Sequence, residues 1–299
     1  MVLVEVSNPD KVMYPADGYT KAEVVGYYQA VAAVMLPHLE GRPLTLQRYP
    51  NGIHGNGFMQ KNASSHFPAS IERVEVPKEG GTTNHPLISS ADDLAYLANQ
   101  GTITFHIWTS RLPDLERPDR LVLDLDPPDG GGPPREPARV ARSVLDEVGL
   151  DSGLMTTGSS GFHVVAAIRP EHDFETVGHL ARLLAGVVAA QMPDSATTEF
   201  LKKNRKGRVF IDWLRNRWAQ SAVSPWALRP LDGAPVAMPI DWEELDAADP
   251  RGWDLESAPT RAEQPDPWPE PGKLDPEAIE ALADEHDVAY DEPFDRFGR

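Results

Sequence analysis

The segment Arg120-Leu-Val-Leu-Asp-Leu-Asp-Pro127 constrains this chain more than any other. Side chains alternate across a strand, so Leu121, Leu123 and Leu125 share one face, while Val122, Asp124 and Asp126 share the other. One face is built for a core. The other aims two carboxylates the same way, which is unfavourable unless a cation lies between them. The strand therefore belongs in a sheet covered on its leucine side, with its acidic side turned to solvent or to a cation.

The neighbouring segments supply such a sheet without strict β-α alternation. Leu44–Arg48, Phe58–Lys61, Gly101–Trp108, Leu154–Thr157, Phe162–Ile168 and Arg208–Trp213 read as strands. Helical spacing of apolar residues begins at Thr20, where Glu23 three residues on completes a capping-box pattern, and runs to Leu39. Further helices are expected over 90–99, 139–148 and 176–192, with a helix start at Asp241. This mixture predicts an α+β fold rather than a doubly wound parallel sheet. Asp126–Pro137 is a Pro/Gly-rich loop between a strand and a helix. We expect a catalytic unit over residues 1–250, made of two packed modules. Residues 251–299 form an acidic, Pro-rich tail, with a possible last helix opened by Pro276.

At 299 residues the chain can bury a substantial core without staples, and the absence of cysteine excludes disulfide frameworks, thiolate zinc sites and cysteine catalysis. There is no apolar run of membrane-spanning length and no signal-peptide pattern, so no membrane partner is expected and a cytoplasmic enzyme is the default. The net charge of −18 argues at first against a nucleic-acid partner. The charge is uneven, however: residues 241–299 carry −14, whereas Thr197–Arg229 holds eight basic residues against two acids. Salt screens distant charge over about 8–10 Å, so a local basic surface can still bind phosphates.

Asp124 and Asp126, at i and i+2, suit a hard divalent cation such as Mg²⁺ or Mn²⁺; a solvated strand end is the plain alternative. Asp212 lies inside Val209-Phe-Ile-Asp-Trp, where a lone carboxylate is costly unless it pairs with a nearby arginine or binds metal. Three strand-borne carboxylates make a two-metal phosphoryl-transfer site more credible than either motif alone. Thr156-Thr-Gly-Ser-Ser-Gly-Phe-His163 places small residues between two strands, either as an anion-holding nest or as an ordinary turn. His163 could meet a phosphate or be a partly buried structural histidine, and His106 presents the same choice. Arg48 and Lys61 end two strands, and Arg229 stands in an apolar setting that suits an ion pair or a phosphate. Phe58 and Met59 read as core by composition, although an exposed aromatic could stack on a base. Asn8, Lys11 and Lys21 could converge on one anion at a helix start, or be surface residues.

In this order, SNPDKVMYP, TKAEVVGYY, PLTLQRYPNG, FMQKN, FHIWTS, LVLDLDP, TTGSSGFHVV, RKGRVFIDWLRN and SAVSPWALRPLDGAPVAMPIDWEEL resemble the archaeo-eukaryotic primase superfamily. More narrowly, they resemble the polymerase domain of bacterial DNA ligase D, over about Val6–Leu245. The resemblance implies a primase-polymerase fold, with a small N-terminal α/β module packed on a larger sheet-centred catalytic module. It implies two divalent metals, Mn²⁺ preferred and Mg²⁺ possible, on Asp124, Asp126 and Asp212. It implies nucleotide contacts from Arg48, Lys61, His106, Ser159, His163 and Arg229, and a DNA 5′-phosphate pocket at Asn8, Lys11 and Lys21. Phe58 would lie at the template base, and Arg205 on the loop that orders the template end. Two positions depart from the family: Ser160 where a lysine is usual, and Met59 where a second aromatic is common.

The expected function is template-dependent extension of ends and short gaps bearing a 5′-phosphate, with NTP or dNTP and a preference for ribonucleotides. A separate ligase and an end-binding protein are expected partners, and the location is bacterial cytoplasm, associated with the nucleoid. The alternatives are a primase that starts chains de novo, a metal-dependent phosphohydrolase, and a non-catalytic end-binding protein.

Overall fold

The computed structural model describes residues 5–78, 80–264 and 266–290. Helices and mixed sheets form an α+β architecture in two units. The first unit comprises Met1–Trp108, Ser221–Met238 and Arg251–Asp266; the second comprises Thr109–Gln220, Pro239–Pro250 and Pro267–Arg299.

The second unit is organised by a six-stranded sheet in the order Ala196–Thr197, Val209–Asp212, Arg120–Asp126, Phe162–Ala167, Ser152–Thr156, Pro239–Ile240. All neighbours are antiparallel except the first pair. The leucine face of Arg120–Asp126 is a core face as expected, with Leu121, Leu123 and Leu125 fully buried. Helices Arg135–Glu147 and Phe174–Gln191 pack on this sheet and on each other. The long helix is started by Asp173, whose side chain accepts from the Thr176 amide at 2.9 Å, and buries eleven residues.

In the first unit the four-stranded antiparallel sheet runs Ala222–Val223, Thr102–Ile107, Leu44–Arg48, Phe58–Gln60. Helices Lys21–Ala30, Ala32–Leu39 and Ala91–Asn99 accompany it. The capping box at Thr20 and Glu23 is present. The single helix expected from Thr20 to Leu39 is instead two, broken at Val31, whose backbone (φ −94°, ψ 3°) leaves the helical range. Tyr27 and Tyr28 explain the tight packing of the first helix: both are buried, and their hydroxyls donate to the carbonyls of Trp226 and Ile103.

The chain changes unit at Pro250/Arg251, and the segment beyond that point divides between the two units. Residues 251–266 pack within the first, where Leu255 and Ala258 are buried and the Trp253 carbonyl accepts from Val236. Residues 267–290 pack within the second, where Gly272 bridges Ile168 and Pro276–Glu285 forms the expected last helix. Residues 291–299 of the expected tail lie outside the described residues. The helix start at Asp241 is a single 3-10 turn, Trp242–Glu244. Among the described residues, no helix is long and apolar enough to cross a membrane.

Candidate active site

Strand register puts the second unit's acidic residues side by side. Asp124 pairs across the sheet with Asp212 on one side and with His163 on the other, and Asp126 faces Phe210. One ligand oxygen from each of Asp124, Asp126 and Asp212 lies within 4.8 Å of the other two. Asp124 and Asp212 are buried, and Asp126 is half-buried.

Two basic side chains contact this cluster. His163 Nε2 lies 3.3 Å from Asp124 Oδ1. Arg215 reaches Asp124 Oδ2 with Nε at 3.2 Å and Asp212 Oδ2 with Nη2 at 3.3 Å. The Arg215 turn is itself fixed by Asn216. Its amide oxygen accepts from the Val122 amide and its Nδ2 donates to the Val122 carbonyl, both at 2.7 Å, so the turn after Asp212 is sewn to the strand that carries Asp124.

The charges divide the carboxylates. Burial works against ionising Asp124, but His163 and then Arg215 outweigh it and draw its carboxyl down to about 2. Asp126 is pushed up to about 6, by burial first and then by Asp124 and Asp212. Burial also raises Asp212, opposed by Arg215. Three crowded acids, two of them resisting ionisation, form a site that gains from a divalent cation, and an all-oxygen donor set fits Mg²⁺ or Mn²⁺. Both sequence readings of Asp212 hold at once: it is paired with an arginine and it belongs to a metal-competent cluster.

The 157–161 turn differs from a simple nest. Thr157 Oγ1 accepts from the amides of Ser159 (3.3 Å) and Gly161 (3.2 Å), so those two donors are turned inward. A phosphate at this turn would meet serine hydroxyls rather than those amides; Ser159 is half-buried and Ser160 exposed. Gly161 is required sterically, because a Cβ there would collide with the Leu125 carbonyl oxygen on the catalytic strand. Arg205 donates to the carbonyls of Glu199 (3.1 Å) and Phe200 (2.8 Å) and lies over the Phe210 ring at 4.0 Å.

The remaining candidates fall in the first unit. Arg48 donates to the Gln100 carbonyl and to Gln60 Oε1 at 2.7 Å, and lies 5.4 Å from the Phe58 ring centroid. Lys61 is exposed, and His106 and Arg229 are half-buried. Phe58 and Met59 are not core: they stand exposed on an edge strand, at 47% and 51%. Asn8, Lys11 and Lys21 are brought together. The Lys11 amide donates to Asn8 O at 3.1 Å and the Lys21 amide to Lys11 O at 2.8 Å. Lys21 is no surface lysine: it is buried, with Nζ 2.8 Å from Ser7 Oγ, and burial and then the Lys11 charge lower its pKa. Two cations held close in this way favour an anion between them.

Sequence reasoning singled out neither Arg215 nor Thr157. The signal for Arg215 was its position three residues past Asp212, the reach of a 3-10 turn.

A family model described as "LigD, primase-polymerase domain" matches residues 20–268. The multifunctional non-homologous end joining protein LigD of Mycolicibacterium smegmatis is 37% identical over 251 residues, covering 83% of this chain and 33% of the relative. Its Pseudomonas aeruginosa counterpart is 34% identical over 272 residues, covering 89% and 32%. The chain thus spans about a third of the length of these curated relatives. The polymerase domain of Mycobacterium tuberculosis ligase D, solved in complex with DNA, superposes with a TM-score of 0.81 at 35% identity, covering 86% of this chain and 93% of that one. With the carboxylates on adjacent strands and this agreement in sequence and fold, the chain belongs to the LigD primase-polymerase domain family and is, as a member of it, a nucleotidyltransferase.

Proposed function

We propose that this chain is a template-directed polymerase of double-strand break repair, which fills short gaps and extends DNA ends by the two-metal route. The observation that carries this is the cluster of Asp124, Asp126 and Asp212, with ligand oxygens within 4.8 Å of one another. The primer 3′-hydroxyl attacks the α-phosphorus of the nucleotide in line, and pyrophosphate leaves. When bound, divalent ions on these carboxylates supply charge neutralisation at the attacking and leaving oxygens. Asp124, ionised at any physiological pH, is oriented by His163 and Arg215. Arg215 balances charge in the cluster, so the buried acids keep their geometry. No side-chain nucleophile takes part.

Arg48, Lys61, His106, Ser159, His163 and Arg229 are the nucleotide contacts proposed on the family's pattern. Phe58 is proposed at the template base and Arg205 at the loop near the template end. Asn8, Lys11 and Lys21 are proposed to bind the downstream 5′-phosphate; the buried, depressed Lys21 beside Lys11 supports an anion there. Manganese is the proposed metal and ribonucleotides the proposed substrates, with a ligase and an end-binding protein as partners in the bacterial cytoplasm. The test is extension on a short-gap duplex, with Mn²⁺ or Mg²⁺, NTP or dNTP, and a 5′-phosphate or 5′-hydroxyl downstream. Ribonucleotide addition that improves with Mn²⁺ and with the 5′-phosphate supports the reading. DNA binding without addition under every condition would replace it with end binding alone.

A further inference from the structure

Among the described residues, the most exposed large apolar side chain is Phe200, at 65%, followed by Met59 and by Leu201, at 50%. Phe200 and Leu201 open a loop that carries Lys202, Lys203, Arg205, Lys206 and Arg208 within eight residues of a chain whose net charge is −18. Phe200 and Leu201 form an adjacent exposed apolar pair on a strongly basic loop, and the chemistry that uses both features is a π-face met by a nucleobase while cations meet the phosphates.

The loop is held in place beside the carboxylates. Arg205 braces it from within, donating to the carbonyls of Glu199 and Phe200 and covering Phe210. Lys202 Nζ reaches Asp129 Oδ1 at 3.1 Å, three residues beyond Asp126 on the adjoining turn. The Phe200 ring meets the Phe210 ring edge-on at 6.5 Å between centroids, and Phe210 is the residue paired across the sheet with Asp126. The aromatic tip therefore stands on a braced loop next to the metal-competent cluster.

We propose that Phe200 is a base-stacking residue that takes the face of an unpaired base of single-stranded DNA, with Leu201 extending the platform and the loop's lysines on the backbone. The proposal rests on the polymerase reading for its biological sense and gives it a specificity: ends with single-stranded overhangs are held better than blunt ends. Arg205 acts on this strand through the loop it braces.

The test is equilibrium binding by fluorescence anisotropy of two labelled duplexes, one blunt and one with a 3′ overhang carrying 2-aminopurine, without nucleotide or metal. Because no extension is needed, failure here is distinguishable from failure of the polymerase reading, which wild-type extension tests separately. Phe200→Ala should weaken overhang binding about tenfold. It should also lose the quenching of 2-aminopurine and leave blunt-duplex affinity within about twofold. Phe200→Leu should behave like Ala, whereas Phe200→Trp should bind at least as tightly as wild type. The ring is largely exposed, so an unchanged melting temperature should accompany all three. Overhang binding unchanged in Phe200→Ala would overturn the proposal. So would an equal loss on both duplexes, or full retention by Phe200→Leu.

Discussion

Replacing Asp126 with asparagine should stabilise the metal-free protein while removing its activity. Asp126 is pushed up to about 6, by burial and then by Asp124 and Asp212. Set against an ordinary aspartate near 4, this makes its ionisation in the folded state cost about 3 kcal/mol more than in the unfolded chain. The side chain is half-buried, and solvent screening reduces the realised penalty to about 1–2 kcal/mol. The sign follows from linkage. A carboxyl with a raised folded pKa binds more protons folded than unfolded, so stability falls as pH rises from about 4 through about 6, and the cost is full above that. Asparagine keeps the shape and removes the charge. In EDTA at pH 7.5, Asp126→Asn should therefore melt about 3–6 °C above wild type. At pH 4.5, where the folded carboxyl is protonated but the unfolded one is already largely ionised, the difference should shrink to about a third. Saturating Mn²⁺ should raise the wild type and leave the variant nearly unmoved. A variant less stable than wild type in EDTA at pH 7.5, or one with the same gain at pH 4.5, would refute the account of the cluster as like charges awaiting a cation.

Arg215→Gln should do the opposite in EDTA. Breaking a buried pair costs about 3–5 kcal/mol, and the partial exposure of Arg215 reduces this to about 1–2 kcal/mol; a lower melting temperature that Mn²⁺ largely restores is the expected result of thermal scans. Gly161→Ala should be strongly destabilising or inactive, because its Cβ meets the Leu125 carbonyl and the turn must part from the catalytic strand; an unchanged melting temperature would contradict this. Lys11→Ala combined with Lys21→Ala should reduce the preference for 5′-phosphorylated over 5′-hydroxyl gaps in competition binding, and an unchanged preference would place that pocket elsewhere.

What the sequence disclosed and what it hid have physical reasons. The Arg120–Asp126 strand was legible because its period-2 pattern separates leucines from carboxylates, and its core face is fully buried. The hairpin Glu72–Lys78 with Gly81–Leu87 was not, because most of its residues face solvent and its apolar alternation is limited to Val74 and Val76. Phe58 and Met59 read as core because composition records residue type and not edge position; the exposed edge strand is a tertiary fact. The break at Val31 was hidden because valine and the flanking alanines fit helical spacing equally well on either side. Of the candidate site, the three aspartates were legible one by one, but their convergence depends on cross-strand register. Arg215 was hidden because an arginine in a basic run looks like surface until Asn216 pins its turn to Val122. The segment after residue 250 read as a tail because proline suppresses regular structure, although Leu255, Ala258 and Leu274 are buried.

The central claim is metal-dependent nucleotidyl transfer by Asp124, Asp126 and Asp212. It is tested most directly by counting pyrophosphate released against nucleotides added on a gapped primer–template, for wild type and for Asp126→Ala. The account predicts one pyrophosphate per nucleotide for wild type with Mn²⁺, and neither product for the variant, with DNA binding retained because it rests on lysine and arginine. Full extension by Asp126→Ala, or phosphate release without primer extension by wild type, would contradict it.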